Sequence, residues 1–264
     1  MSAPTDDMCA IVLAGERPGV NRFALEHGKA AGVLIPVAGR SCIERVITTL
    51  RASAVISGGV IVGPAAAVVE TDAVMQSLIG TGDFHWIEPA HGPSASALSA
   101  VDQLGRYPAL ITVGDHALLE PQVVDAFCAA AMQSRADFVA GLVPLQTVQI
   151  AFPESRRTIL RFSDAAFCSS NLFLINNPQG RAALRWWTRL ETERKRPWRI
   201  AGHLGWLTLL RYLTRSLSTR DTFKILSKHS GCEVEHCTVD NARAAVDIDS
   251  SDDLRLAERV LADG

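Results

Sequence analysis

The sequence of 264 residues has no apolar run near the roughly 20 residues a membrane-spanning helix needs. Its longest apolar stretches, around 58–69 and 204–213, fall short of that. An excess of positive charge is also missing. Lys and Arg number 26 against 28 Asp and Glu, for a net charge of -2. That balance argues against a dedicated nucleic-acid-binding protein and predicts no nucleic-acid partner. No G-x-G-x-x-G follows the first apolar run, which disfavours a dinucleotide site, and no G-K-[ST] follows it to make a Walker loop. There is no internal repeat and no low-complexity linker. Residues 1–7 lack the basic region of a secretory signal, so the protein is expected in the cytoplasm.

The six cysteines, at 9, 42, 128, 168, 232 and 237, contain no C-x-x-C pair and lie scattered in apolar segments. This is the usage of reduced, buried thiols. One cluster, His229, Cys232, His236 and Cys237, has ligand types suited to zinc. The competing reading, which outweighs it, is a strand with Cys232, Val234 and His236 on one face.

What is present is an alternation of short apolar runs with helical stretches, over a composition 48% hydrophobic and 20% charged. That is the pattern of a folded α/β domain. Strands are predicted at 9–14, 60–62, 84–87, 109–113, 138–143, 148–152, 171–175, 233–239 and 245–249. Helices are predicted from Ser41, with Glu44 completing a capping box, over 65–78, 94–104 and 122–132, and after Ser250 or Ser251. Residues 179–228 form a helical insertion, and 1–264 is expected to be one domain.

Ligands of open α/β sheets bind beyond the carboxyl ends of the strands. Three features fall there. The loop Leu13-Ala14-Gly15-Glu16-Arg17-Pro18-Gly19, with Arg22 and Lys29 nearby, offers backbone N–H groups and cations to a polyphosphate. The alternative is an ordinary surface loop. Asp115 ends an apolar strand, where a carboxylate holds Mg²⁺ or simply caps a turn. In Asp247-Ile248-Asp249, strand alternation puts both carboxylates on one face, where a cation would relieve their repulsion; otherwise they cap the last helix.

These residues resemble the MobA-like NTP transferase family. The match runs through Ala10-Ile11-Val12-Leu13-Ala14-Gly15, Leu34-Ile35-Pro36-Val37-Ala38-Gly39-Arg40 and Ile43-Glu44-Arg45-Val46-Ile47. Gly92-Pro93-Ser94-Ala95-Ser96-Ala97-Leu98 is similar to the family's second nucleotide-contacting stretch. Gly114-Asp115-His116-Ala117-Leu118-Leu119 resembles its D-x-P-L-L metal motif, and Asp247 to Leu254 its D-I-D-T-P-E-D-L ending. The resemblance implies a GT-A-like, Rossmann-type α/β/α sandwich with a mostly parallel mixed sheet. It also implies Mg²⁺-dependent transfer of an NMP moiety from an NTP, CTP or GTP, to a small phosphorylated acceptor, releasing pyrophosphate. In that reading Leu13 to Gly19, Gly92, Ser94, Ser96 and Asp115 contact nucleotide. Arg17 and Lys29 neutralise phosphate charge beside the catalytic Asp115. Asp115, Asp247 and Asp249 hold Mg²⁺, and Asn171 and Arg185 meet the acceptor. Gly32 departs from the pattern, because relatives usually carry a phosphate-contacting Lys there. Lys29 is expected to swing in; otherwise turnover is slow or only nucleotide binding remains. Ser41-Cys42 stands where the motif has Pro-Met.

A GT-A glycosyltransferase using an NDP-sugar is the rival enzyme. The lack of a clear D-x-D near the middle of the sequence and the L-A-G-x-R wording count against it. A third reading is a non-catalytic nucleotide-binding protein. Residues 181–215, rich in Arg, Trp and Leu, read first as helices packed on the sheet, with Arg181, Arg185 and Arg189 in a stripe solvated by Glu191 and Glu193. Two sharper readings are recognition of an anionic acceptor and contact with an anionic membrane surface.

Overall fold

The computed structural model describes residues 8–16, 19–193 and 206–263. Ten strands are present in sequence order among them: β1 Met8–Leu13, β2 Pro36–Val37, β3 Arg40–Ser41, β4 Ile56–Val62, β5 Phe84–Ile87, β6 Ala109–Val113, β7 Phe138–Pro144, β8 Ile159–Arg161, β9 Ala166–Ile175 and β10 Val234–Thr238. Eight of them make one sheet in the order β10-β7-β9-β6-β1-β4-β5, with β8 paired to β9. The neighbours of β1 are parallel to it, as are the β4–β5 and β7–β10 pairs. In this sheet β9 runs against its partners β6, β7 and β8, and β2 and β3 form a separate antiparallel pair. This is the mostly parallel mixed sheet of a Rossmann-like α/β fold.

Side-chain alternation sorts the core into two layers. Along β1, Met8, Ala10 and Val12 face one side with Leu110 of β6, Val139 of β7 and Leu172 and Leu174 of β9. They pack under the helices Cys42–Ala52 and Pro121–Gln133 through Ile43, Val46, Ile47, Leu50, Val124 and Phe127. Ile11 faces the other side with Val60, Val62, Ala109 and Ile111, and meets Ala97, Ala100 and Val101 of the helix Pro93–Leu104 and Leu184 of the helix Arg181–Glu193. Strands covered on both faces read as unbroken apolar runs, which is why they stand out in the sequence.

The helix from Cys42 is capped as its sequence predicts. The Ser41 hydroxyl accepts from Glu44 N, and Ser41 N donates to the Glu44 carboxylate at 2.8 Å. Caps of this kind contribute about 1 kcal/mol. Ser250 caps the helix Ser251–Ala262 through its side chain, which accepts from Asp253 N. The helix expected over 65–78 is two, Ala66–Thr71 and Ala73–Gly80, because Asp72 turns its carboxylate onto Val74 N and Met75 N and starts a second helix.

Four expected strands differ, the first being 60–62, which begins four residues earlier at Ile56. Residues 148–151 belong to the helix Leu145–Ala151, which Phe152 caps, with Val148 buried and Ile150 75% exposed; the short alternation there was the edge of a helical stripe. The strand expected at 171–175 begins five residues earlier, at Ala166. Residues 245–249 pair with no strand. A short turn over Ala242–Ala245 leads into an extended stretch whose Ile248 N donates to Asp115 O at 3.1 Å. Val246 and Ile248 still point inward, packing with Val37, Cys42, Ala117 and Leu118.

Within 179–228 the described helices are Arg181–Glu193, Trp206–Leu213 and Thr219–Ser230. Among the described residues, no helix is long and apolar enough to cross a membrane. The zinc alternative for residues 229–237 finds no support. Val234–Thr238 is a strand, His236 stacks on Phe223, and Cys232 and Cys237 are free thiols.

Candidate active site

The strand order reverses between β1 and β6. From β1 the chain steps outward through β4 to β5, then returns to place β6 on the other flank of β1. The crevice beyond the carboxyl ends of these two strands is where open α/β sheets bind ligands. Its floor is a close approach of backbones, with Gly114 N donating to Leu13 O and Ala14 N to Val62 O, both at 2.8 Å. Gly114 is needed here. A Cβ would press on Ile43, Val33 and Ala14 at 3.0 to 3.3 Å.

Asp115 follows at once. One of its carboxylate oxygens is buried with no hydrogen-bond partner. Burial raises the carboxyl to about 7, and the neighbouring carboxylates of Asp247, Asp249 and Glu16 push it the same way. The Ile248–Asp115 backbone bond is what brings Asp247 and Asp249 alongside. So the two carboxylates expected to share a strand face do meet Asp115, although a single backbone bond rather than a ladder places them. His116 is fully buried. Burial lowers it to about 4, which leaves it neutral and unsuited to carrying a proton in the crevice.

Asp247 is not idle. Arg157 Nη1 donates to its Oδ1 at 2.7 Å, and Asn171 Nδ2 stands 3.5 Å from its Oδ2. Asn171 owes its aim to a bulge in β9, where Ser170, Asn171 and Leu172 together oppose the single residue Gly141 of β7. Its φ is +52°, a left-handed conformation that Asn tolerates, and bulges of this kind re-aim side chains next to active sites. The structure therefore joins Asn171 to the Asp115 and Asp247 pair.

The expected cage of three carboxylates is not formed. Among the described residues no three His, Cys, Asp or Glu side chains converge to hold a metal, and one oxygen of Asp247 is taken by Arg157. The donor set still suits Mg²⁺, which binds through one or two carboxylates and takes its other ligands from water and substrate phosphates. The unpartnered oxygen of Asp115 is the observation that fits it.

The loop after β1 is ordered by its own acid. Glu16 accepts from Gly32 N at 2.5 Å and from Asn21 Nδ2 at 2.7 Å. Glu16 therefore closes the loop on itself beside Asp115, where a nucleotide contact was expected. Arg17 lies outside the described residues. Gly15 and Gly19 are exposed, and Lys29 has no ion-pair partner among the described residues.

The second expected nucleotide stretch starts the helix Pro93–Leu104, with Gly92 at φ +101° as its cap. Ser94 and Ser96 are buried, and Ser96 Oγ accepts from Ala90 N at 3.0 Å. The Ser94 amide donates to Glu191 Oε2 at 3.2 Å. Glu191 belongs to the helix Arg181–Glu193, which lies against this one through Leu184 and an Arg181–Asp102 ion pair of 2.6 Å. This helix meets the stretch through Glu191, whereas Arg185 is on its solvent face. Sequence reasoning treated Glu191 as a solvated counter-charge, and passed over Arg157 altogether. Nothing in the spacing of either residue marks it.

The family model of the MobA-like NTP transferase domain matches residues 10–161. Among solved structures, a hypothetical transferase from Thermus thermophilus is 27% identical, with a TM-score of 0.78 over 94% of this chain and 99% of that one. A 2-C-methyl-D-erythritol 4-phosphate cytidylyltransferase, also from Thermus thermophilus, shares the fold at 12% identity, with a TM-score of 0.55 over 97% of this chain and 99% of that one. A CMP:2-keto-3-deoxy-manno-octonic acid synthetase complexed with CTP shares it at 10% identity, with a TM-score of 0.59 over 97% and 99%. No curated protein matches the chain. Because the matched span exceeds half of its length and holds both the loop after β1 and Asp115, the chain belongs to the MobA-like NTP transferase family, a family of nucleotidyltransferases.

Proposed function

We propose that this enzyme transfers an NMP moiety from CTP or GTP to a small phosphorylated acceptor. A phosphate oxygen of the acceptor bonds to the α-phosphorus. The bond from that phosphorus to the α–β bridging oxygen breaks, and pyrophosphate leaves with the electron pair. The nucleophile is already an anion, so no protein base is required. The work left to the protein is positioning and charge neutralisation. The observation that carries this reading is the unpartnered, buried oxygen of Asp115 at the sheet's switch point, facing Asp247. Asp115 and Asp247, with Asp249 alongside, would hold Mg²⁺, which when bound supplies neutralisation of the phosphate charge. In this reading Gly15, Gly19 and Lys29 serve the phosphate side, Arg17 adds a cation to it, Gly92 to Ser96 serve the nucleoside side, and Asn171 the acceptor side.

The reading treats 1–264 as one unit with a helical part near 179–228. It places the enzyme in a reducing cytoplasm, which suits six free cysteines. It also carries contact of 181–215 with an anionic membrane surface, supported by Trp187, Leu210 and Leu213, which are 51%, 57% and 69% exposed. Thermal unfolding with CTP, GTP, UTP and ATP, each with and without Mg²⁺, tests the core of it. A ligand at a hundred times its Kd adds about 2.7 kcal/mol. A metal-dependent shift with CTP or GTP, followed by pyrophosphate release with an acceptor, is expected; no shift with any NTP sinks the proposal. One observation favours a second reading, binding without turnover: the position of the family's lysine is Gly32, its amide already taken by Glu16.

A further inference from the structure

Arg157 lies in the link between the helix Leu145–Ala151 and β8, outside every motif that the sequence offers. Its side chain is only 8% exposed. Every nitrogen of the guanidinium is engaged. Nε donates to Ser155 Oγ at 2.9 Å, Nη1 to Asp247 Oδ1 at 2.7 Å and to Asp247 O at 3.2 Å, and Nη2 to Asp253 Oδ1 at 2.5 Å. Asp253 stands in the first turn of the last helix, where Ser250 Oγ donates to its other oxygen. One planar fork thus ties the 155–157 link, the extended stretch carrying Asp247, and the start of the last helix.

We infer that Arg157 is the positioning residue of the metal site: its fork takes one oxygen of Asp247 and leaves the other, 3.5 Å from Asn171 Nδ2, for the cation. This rests on the Mg²⁺ reading of the previous subsection. The stretch bearing Asp247 and Asp249 is joined to Asp115 by the 3.1 Å Ile248–Asp115 backbone bond and has no ladder to hold it. A rigid, always-charged fork does two things that a ladder would not. It ties Asp247, through its carboxylate and its backbone carbonyl, to Asp253, and it offsets one of the carboxylate charges when no cation is present. A lysine carries the same charge as a point and cannot span Asp247 and Asp253 together. The identity of the residue, and not only its charge, therefore matters.

The test is Mn²⁺ binding to the full chain, followed by the EPR signal of free Mn²⁺, with and without α,β-non-hydrolysable CTP and GTP. Circular dichroism and Tm accompany each variant. Arg157→Lys and Arg157→Gln are both expected to weaken Mn²⁺ binding at least tenfold. Asp253→Asn, which removes only the far anchor of the fork, should weaken it about threefold; it carries the test if the Arg157 variants fail to fold. A residue that only stabilises the fold would lower Tm and leave Mn²⁺ affinity unmoved. Binding by Arg157→Lys equal to the unaltered chain would show that charge suffices and overturn the inference. So would tighter binding by Arg157→Gln, which would make Arg157 a competitor of the metal. Unaltered Mn²⁺ affinity in a folded Asp253→Asn would overturn it too. Failure of the unaltered chain to bind Mn²⁺ would remove the metal reading itself, and this role with it.

Discussion

Replacing Asp115 by Asn should make the metal-free protein more stable while destroying its chemistry. Burial and three neighbouring carboxylates raise Asp115 from near 4 to about 7. At about 1.36 kcal/mol per tenfold change in acidity, an anion forced on the site at high pH costs about 4 kcal/mol. The sign follows from proton counting. Between pH 4 and 7 the native chain holds a proton that the unfolded chain has released, so stability falls as pH rises through this window and is level above it. Asparagine binds no proton and escapes the fall. Its advantage over Asp should be about 1.5 kcal/mol at pH 5 and about 4 kcal/mol at pH 8.5. At roughly 2–4 °C per kcal/mol, the gain at the higher pH is a Tm rise of about 10 °C. Urea unfolding in EDTA at the two pH values, with m checked for constancy, measures it. Equal advantages at both pH values, or destabilisation at pH 8.5, would refute the electrostatic account of the site.

Asn171→Gly should keep the left-handed bulge and lose only the amide, raising KM for the acceptor at least tenfold with NTP affinity unchanged; initial-rate kinetics read the split. Gly32→Lys should raise kcat if the loop lacks only its lysine. A Cβ there meets just the side-chain ends of Asn21 and Glu16, at 3.0 and 3.4 Å, and an unchanged kcat with intact NTP binding would favour the binding-only reading. Sedimentation with vesicles containing anionic lipid, but not with neutral ones, is expected if 181–215 meets a membrane. Equal recovery in both supernatants would end that reading.

The central strands were legible because burial on both faces keeps them almost wholly apolar; β6 has the ends the sequence predicts, as does the edge strand β5. The capping box at Ser41 was legible because its chemistry is local. Residues 148–152 misled because five residues are too few to separate a period of two from one of 3.6, and Ile150 turns out to face solvent. In the site, Asp115 could be named in advance because it ends an apolar strand, Asp247 because it alternates with Asp249, and Asn171 only through the family resemblance. Arg157 and Glu191 could not. Each meets its partner across about 90 residues or more of sequence, and such a contact leaves no trace in local spacing.

Residues 10–161 match the family, but β9 begins at Ala166 and lies between β6 and β7 in the middle of the sheet. A chain cut where the match ends would keep the loop after β1 and Asp115, yet expose two raw apolar edges at Ala109–Ile111 and along β7. Open edges of that kind pair with whatever strand they meet. An excised signature half should therefore aggregate instead of serving as a portable nucleotide-binding module. The stretch by which the family can be recognised is shorter than the stretch that must fold to present it.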